Sequence, residues 1–244
     1  MDRAIYDRMR LQQGTHWWFV ARRQILADQI SRLPLPAAPR ILEAGCGPGG
    51  NIGMLGRFGA VQAIEPDAAS RDYAARETGV PVLDGLLPDG LPAFPEPFDL
   101  VAAFDVIEHV DDDAGAVAAL RDLTRPGGFL VTTVPACPWM WGRHDEQHHH
   151  KRRYTLPAYR ALLERAGLKV RKATHFNTLL LPPIAAVRLA RGLVGARDGD
   201  DEALPPAPVN AVFKLVFGAE AGLLRWIDLP FGVSILLIAE RPQR

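Results

Sequence analysis

Two acidic residues flank a glycine-rich turn in the N-terminal half of the chain. Glu43 precedes glycines at alternate positions, Gly45, Gly47 and Gly49, and Glu65 follows about 22 residues after Glu43. Glycine permits positive φ angles and lets a ligand lie directly against the backbone, where a Cβ would block it. At this spacing in an α/β nucleotide site, the second carboxylate holds ribose hydroxyls. The pattern therefore predicts a site for a ligand that contains a nucleoside.

The acid in front of the first glycine separates two classes of ligand. Dinucleotide sites favour Gly-x-Gly-x-x-Gly, in which a helix N-terminus binds the pyrophosphate. Glu43 would repel a pyrophosphate, whereas it suits a ligand that carries an ammonium or sulfonium charge. The motif alone leaves a nicotinamide dinucleotide as the alternative ligand.

Two histidines, His109 and His144, are candidate catalytic bases. Each follows a predicted strand, and a neutral imidazole that takes the proton of a reacting hydroxyl adds about 10²–10⁴-fold to a rate. The alternative for His109 is a structural ring bonded to nearby backbone. Three consecutive histidines, residues 148–150, cannot all face one ion in regular structure, so a polar loop before a helix is expected there.

The elements around these residues alternate between strand and helix. Cap and turn residues, such as Thr155 before a helical pattern and Gly167 after it, separate the elements. Because ligands of open parallel sheets lie beyond the carboxyl ends of the strands, the candidate residues are expected at that edge. Apolar runs predict strands over residues 40–44, 61–65, 80–83, 98–105, 129–134, 168–174 and 233–240, and helices over residues 68–78 and up to 123, where residues 125–128 act as the stop.

Three stretches of the sequence resemble the class I S-adenosylmethionine-dependent methyltransferases. They are residues 40–51, the stretch FDLV…DVIEHV from Phe98 to Val110, and RPGGFLVTTVP from Arg125 to Pro135. The resemblance covers roughly residues 14–176 and the last strand. It implies an α/β fold: a Rossmann-like, seven-stranded, mostly parallel sheet with an N-terminal helical lid and a helical insertion before the last strand.

The resemblance also implies a cofactor, S-adenosyl-L-methionine, and the residues that hold it. The glycines would shape its cradle with Cys46 between them, Glu43 would orient its amino acid end, and Glu65 beside Pro66 would hold the ribose. Asp84 is the nearest acid to the adenine, although Gly85 and Leu86 follow where an acid could also have been placed. The implied cofactor residues are Arg22, Glu43, Gly45, Cys46, Gly47, Gly49, Glu65, Pro66, Asp84 and Asp105, with Arg22 or Arg23 on the methionine carboxylate.

A metal ion is a secondary alternative in the same region. Asp105-x-x-Glu108-His109 resembles the Glu-x-x-Glu-His stretch with which some quinone-pathway O-methyltransferases bind magnesium. Oxygen ligands suit that ion, which could acidify a phenol. Asp105 is shorter than the Glu it replaces, so the prediction adopted is that no metal is bound.

The resemblance divides the chain into four parts. Residues 1–38 form the lid, residues 39–176 the cofactor-binding core, residues 177–231 an apolar helical insertion, and residues 232–244 the last strand and tail. Within the insertion, residues 177–195 and 210–226 are predicted helical, and the acidic, proline-rich residues 196–208 a mobile loop. Three uses of the insertion remain open: it caps the acceptor pocket, forms a homodimer interface, or lies on a membrane surface as a peripheral contact. Its apolar residues are interspersed with basic ones, which fit an interfacial helix and an ordinary surface helix equally. These basic residues are Arg188, Arg191, Lys214 and Arg225.

Composition limits the remaining classes of partner and cellular location. The 244 residues carry 28 basic and 28 acidic side chains, without the basic field of a nucleic-acid binder, so no nucleic-acid partner is expected. Two cysteines, Cys46 and Cys137, favour reduced thiols. The first residues lack the apolar region of a signal peptide, so we expect a cytoplasmic protein, with contact at the inner membrane surface as an alternative.

The sequence therefore predicts methyl transfer from S-adenosylmethionine, with oxygen of a small-molecule or lipid-linked acceptor favoured as the methylated atom. The alternatives are an N- or C-methyltransferase of a secondary metabolite, and a non-catalytic cofactor-binding protein that docks to a membrane or partner. The identity of the acceptor does not follow from the sequence.

Overall fold

The computed structural model of the protein describes residues 3–186 and 203–243. Seven strands form one sheet in the order β3-β2-β1-β4-β5-β7-β6. Neighbours from β3 to β5 run parallel, whereas β7 runs antiparallel to both β5 and β6. The strands are β1 (Arg40–Ala44), β2 (Ala60–Ile64), β3 (Val82–Leu83), β4 (Phe98–Phe104), β5 (Thr124–Pro135), β6 (Lys169–Phe176) and β7 (Ser234–Glu240).

Helices cover both faces of this sheet. One core cluster lies under α5 and α7, and a second, on the opposite face, lies under α2 and α9. The seven-stranded, mostly parallel sheet between two helical layers confirms the predicted fold class. The helices are α1 (Arg3–Gln12), α2 (Trp17–Ile30), α3 (Ile52–Leu55), α4 (Ala68–Thr78), α5 (Asp113–Leu123), α6 (Arg143–Gln147), α7 (Leu156–Arg165), α8 (residues 181–186) and α9 (Ala207–Leu223).

Local chemistry explains where the elements begin and end. The Asp67 side chain accepts from the Ser70 N–H at the start of α4, and Gly79 ends that helix with φ 69°. All seven residues of β4 are buried, as expected for a central parallel strand. Strand order reverses between β1 and β4, and this opens a crevice at their carboxyl ends.

The turn after α5 differs from the prediction. Residues 125–128, predicted as a helix stop before a strand at 129, belong to β5, which begins at Thr124. The N–H of Gly127 donates to the carbonyl of Arg241, and the N–H of Arg241 donates to the carbonyl of Gly128. Pairing with the chain after β7 therefore extends the strand through the glycines.

The segment between β6 and β7 lies against the N-terminal helices. The Trp17 ring meets Phe213 and Phe217 of α9 edge-on, with centroids 5.5 and 5.7 Å away, and the Arg225 guanidinium binds Asp28 of α2. The predicted helix 210–226 corresponds to α9. The predictions for residues 187–195 and 196–202, and for Arg188 and Arg191, fall outside the described residues. Within the described part of the chain, no helix is long and apolar enough to cross a membrane.

Candidate functional site

A cavity of about 980 Å³ opens where the carboxyl ends of β1 and β4 diverge. Its walls come from the glycine turn after β1, the loop after β4, helices α1 and α2, and the segment between β6 and β7. Pockets of roughly 300–1,000 Å³ hold drug-sized ligands. Ten residues that sequence reasoning placed in the site line this cavity: Arg22, Gly45, Cys46, Gly47, Glu65, Pro66, Asp105, Glu108, His109 and His144.

The glycine turn brings backbone close to two different neighbours. Gly45 has φ 72°, and a Cβ there would lie 2.6 Å from the Cγ2 of Val106. Gly47 has φ 54°, and a Cβ there would lie 3.8 Å from the Met9 Cε, an ordinary van der Waals contact. Gly49, which does not line the cavity, approaches Ala74 of α4 instead. Its role here is helix packing.

Glu43 lies under the turn rather than in the cavity wall. Its Oε1 accepts from the Asn51 side-chain amide at 2.8 Å, while its buried Oε2 has no partner in the described structure. Burial raises the pKa of Glu43 to about 7, against the hydrogen bond from Asn51. Asn51 lines the cavity, so its amide links the buried Glu43 to the cavity wall.

Glu65 joins the glycine turn to the first helix. One carboxylate oxygen accepts from the Gly47 N–H at 2.8 Å, and the other accepts from the Asp67 N–H at 3.0 Å and the Tyr6 hydroxyl at 3.4 Å. Burial raises the pKa of Glu65, against these hydrogen bonds. Glu65 lines the cavity, with Pro66 beside it in the wall.

Arg22 joins α2 to the end of β4. Its Nη2 lies 2.5 Å from Asp105 Oδ2 and donates to the Thr133 hydroxyl at 2.9 Å, and that hydroxyl donates to Asp105 Oδ1 at 3.1 Å. Trp18 covers the guanidinium, which lies 4.7 Å from a ring centroid. The buried Nε has no partner among the described residues.

Histidines of the cavity wall form a cluster. The rings of His109 and His150 meet edge-on at 4.7 Å, and those of His144 and His150 at 5.8 Å. Burial, together with neighbouring His150 and His148, lowers the pKa of His109 to about 3. The His109 ring is therefore uncharged at neutral pH and weakly basic.

A buried carboxylate supports this cluster. Asp145 Oδ1 lies 2.8 Å from His150 Nδ1 and accepts from Arg153 Nε at 2.7 Å. Burial opposes ionisation, but the bonds from His150 and Arg153 hold the pKa of Asp145 below its usual value. His150 and Arg153 therefore line the cavity from fixed positions, while Arg152 binds Asp113.

Two predicted residues have surroundings that limit their part in the site. Asp84 does not line the cavity: its side chain is 76% exposed and pairs with Arg71 at 3.0 Å, and Gly85 and Leu86 occupy the wall instead. Cys46 lines the cavity, but burial raises the pKa of its thiol, which therefore stays protonated.

Sequence reasoning did not assign Tyr6, Asn51, Thr133 or His150 to the cavity or its supports. Tyr6 and Thr133 carry no local signal, because their contacts depend on chain segments that are far away in sequence. His150 bonds Asp145 five positions away, but its contact with His109 joins two separate loops. Tyr6 meets Glu65 across 59 positions, and Arg22 meets Thr133 across 111. Asn51 had a signal: it follows the glycine turn at a helix start, eight residues after Glu43.

Known proteins match this chain over part of its length. Residues 18–173 match a family model described as a methyltransferase domain. A ubiquinone biosynthesis O-methyltransferase of Cereibacter sphaeroides is 34% identical over 114 residues, which cover 44% of this chain and 46% of that protein. A trans-aconitate 2-methyltransferase of Azoarcus sp. is 27% identical over 165 residues, 66% of this chain and 63% of that protein. The chain thus spans about half to two thirds of these curated relatives.

A solved structure shares the fold at low sequence identity. A chain from the complex of the Haloferax volcanii Trm112 methyltransferase activator with a methyltransferase superposes with a TM-score of 0.64 at 19% identity. The match covers 99% of this chain and 96% of that one. At this identity the likeness concerns the fold alone.

Proposed function

Because the chain belongs to the class I S-adenosylmethionine-dependent methyltransferases, we propose that it methylates an oxygen atom of a small-molecule or lipid-linked acceptor. The observation that carries this proposal is a single cavity that is lined both by the glycine turn with Glu65 and by His109 and His144. Apolar side chains such as Ile184 and Phe213 line the same cavity. The relatives named as ubiquinone biosynthesis O-methyltransferases support oxygen as the methylated atom.

The residues present fit the cofactor. The contact recorded at the Cβ position of Gly47 is the end of the flexible Met9 side chain at 3.8 Å, and the Arg22 Nε, a buried donor without a partner among the described residues, belongs to a residue of the cavity wall. Arg22 would bind the methionine carboxylate through that donor, Glu65 the ribose hydroxyls, and Asn51 the amino acid end with Glu43 behind it. When bound, S-adenosylmethionine supplies a methyl group on a positively charged sulfur, which is already a strong electrophile.

The chain's own task is then to align the acceptor, exclude water and accept a proton. We assign the proton to His144, because burial leaves His109 too weakly basic to be an efficient acceptor. The uncharged ring of His109 lines the same cavity, and both rings contact His150. Water is excluded by Trp17, Phe213 and Ile184 from the two flanking helical segments.

The segment 177–231 is proposed to cap the acceptor pocket. Leu180, Ile184, Pro205 and Phe213 line the cavity from it, which supports this use over the two others. Its outer side bears exposed apolar side chains, with Trp226 86% exposed and Leu215 74% exposed. These support an additional contact with a lipid surface or a second copy, and a lipid-linked acceptor would be compatible with either.

The test uses the purified protein with a methyl-labelled cofactor and a panel of phenols, catechols, carboxylic acids and amines, beside a lipid extract. The expected result is label on an oxygen atom, located by mass spectrometry of the product. Label on nitrogen or carbon, or none on any acceptor, would contradict the proposal. Partition between organic and aqueous phases then separates a lipid-linked acceptor from a soluble one. Glu65→Ala, which removes the ribose contact, is the negative control.

A further inference from the structure

Three side chains from two loops converge in the cavity wall. Glu108 and His109 lie on the turn after β4, and His150 lies in the loop before α7. One ligand atom from each lies within 4.8 Å of the other two, and Glu108 Oε1 is 4.0 Å from His150 Nε2. A backbone bond from the Lys151 N–H to the Glu108 carbonyl, at 2.7 Å, holds the two loops together.

Each of the three side chains presents an electron pair to the others. His150 Nδ1 donates to Asp145, which also accepts from Arg153 Nε and the Gly142 N–H, so in the neutral His150 ring Nε2 carries the lone pair. The His109 ring is hydrogen-bonded to the backbone of His148, which leaves its second nitrogen as an acceptor. Both oxygens of Glu108 are fully buried and have no hydrogen-bond partner among the described residues.

An ionised Glu108 carboxylate in this cluster is unfavourable without a cation. Burying a carboxylate without a donor costs several kcal/mol, and native proteins pair such groups or coordinate them to a metal. Two imidazole lone pairs beside the carboxylate add further repulsion. A positive charge among Glu108, His109 and His150 would stabilise the buried carboxylate and both imidazole lone pairs together.

We propose that Glu108, His109 and His150 bind one divalent transition-metal ion. Two imidazoles and one carboxylate with open positions form a ligand set that suits zinc, cobalt or iron, whereas magnesium prefers a shell of oxygens. Asp145, itself held by Arg153, orients His150 in the way that a supporting carboxylate orients a metal-bound imidazole. Metal–ligand bonds of roughly 2.0–2.2 Å require the three ligand atoms to draw closer together around the ion.

This site differs from the one that sequence resemblance indicated. Asp105, the first residue of the Asp-x-x-Glu-His stretch, is occupied by Arg22 and Thr133 and is not part of the cluster. His150, 41 positions after His109 in the sequence, takes its place. The open metal positions face the cavity, where they are available to an oxygen of a bound acceptor.

The test measures metal binding directly, so its outcome is independent of methyl transfer. Protein stripped with a chelator is titrated with Co²⁺, followed by its visible absorption, and Zn²⁺ content is measured after dialysis. The expected result is one ion per chain, retained in excess Mg²⁺. Glu108→Gln and His150→Ala are expected to weaken Co²⁺ binding by more than the roughly 10–100-fold that loss of a supporting residue costs.

His149→Asn is the matched control. His149 is exposed, does not line the cavity, and has φ 56°, a conformation that Asn tolerates. It should leave Co²⁺ affinity unchanged, and cofactor affinity measured on every variant reports folding. Absence of stoichiometric uptake, uptake unaffected by both Glu108→Gln and His150→Ala, or loss of uptake in His149→Asn would overturn the proposal. Displacement of Co²⁺ by Mg²⁺ would overturn the proposal that the site prefers a transition metal to magnesium.

Discussion

Arg22 Nη2 and Asp105 Oδ2 lie 2.5 Å apart, and this ion pair ties helix α2 to the carboxyl end of β4. The Arg22 side chain is 6% exposed and that of Asp105 24% exposed, so the pair is largely desolvated. It lies in the cavity wall, between the glycine turn and the aromatic rings of α2. The position of the N-terminal helices and the shape of the site therefore depend on the same contact.

Arg22→Met is expected to lower the free energy of unfolding by about 3–5 kcal/mol, because it leaves Asp105 desolvated without its partner. Cofactor affinity should fall as well, since the Nε donor is lost. Arg32→Met is the control: the Arg32 side chain is 45% exposed and its partner Asp28 keeps Arg225, so its loss should cost less than about 1 kcal/mol. Urea denaturation and calorimetric titration measure both effects. An equal loss of unfolding free energy in the two variants would show that the Arg22–Asp105 pair does not stabilise the fold more than an ordinary surface pair does.

Glu65→Ala should weaken cofactor binding by more than about tenfold, because it removes a carboxylate that bonds both the Gly47 N–H and, in our proposal, the ribose. Asp84→Ala should change the affinity by less than about twofold, since Asp84 is exposed and outside the cavity. Titration calorimetry of both variants with the cofactor is the measurement. The opposite ranking would exchange the roles of the two acids.

Glu43 should make stability depend on pH. Its pKa is raised from 4.5 to about 7 in the folded state, so the folded protein holds a proton that the unfolded chain releases. The stability that this proton contributes is present below pH 4.5 and lost as pH rises through 7. At about 1.4 kcal/mol per pH unit, the loss is about 3 kcal/mol.

The Glu43→Gln variant isolates this contribution, because the amide oxygen can still accept from Asn51 but does not titrate. Relative to wild type, its unfolding free energy should rise between pH 5 and pH 8 by up to about 3 kcal/mol. Urea denaturation at several pH values gives the difference. A difference that is constant with pH would show that Glu43 is ionised throughout this range.

His144→Ala should lower turnover by about 10²–10⁴-fold while cofactor affinity stays within twofold, as expected for a residue that accepts the acceptor's proton. His149→Asn, outside the cavity, should retain full turnover. Steady-state kinetics with the acceptor identified by methyl labelling, together with a pH profile, measure this. Unchanged turnover and an unchanged profile in His144→Ala would remove His144 from the chemistry.

Short-range patterns were sufficient to predict most of the fold. The helix predicted over 68–78 corresponds to α4, whose Asp67 cap and Gly79 stop act within a few residues of the helix ends. The glycine turn was predictable for the same reason, since its positive φ angles are properties of single residues. The spacing between Glu43 and Glu65 follows from one strand–helix–strand unit, so the position of Glu65 beside the turn could also be predicted.

The contacts between distant side chains in the cavity wall could not be predicted in this way. Nothing near Asp105 in the sequence indicates that Arg22 occupies it, and nothing near His109 indicates that His150 faces it. Asp84 follows the expected strand but points to Arg71. The sequence by itself determined the elements and the cofactor turn, because both depend on neighbouring residues. The tertiary structure alone decided which distant side chains share the cavity, because that depends on how separate loops pack at one edge of the sheet.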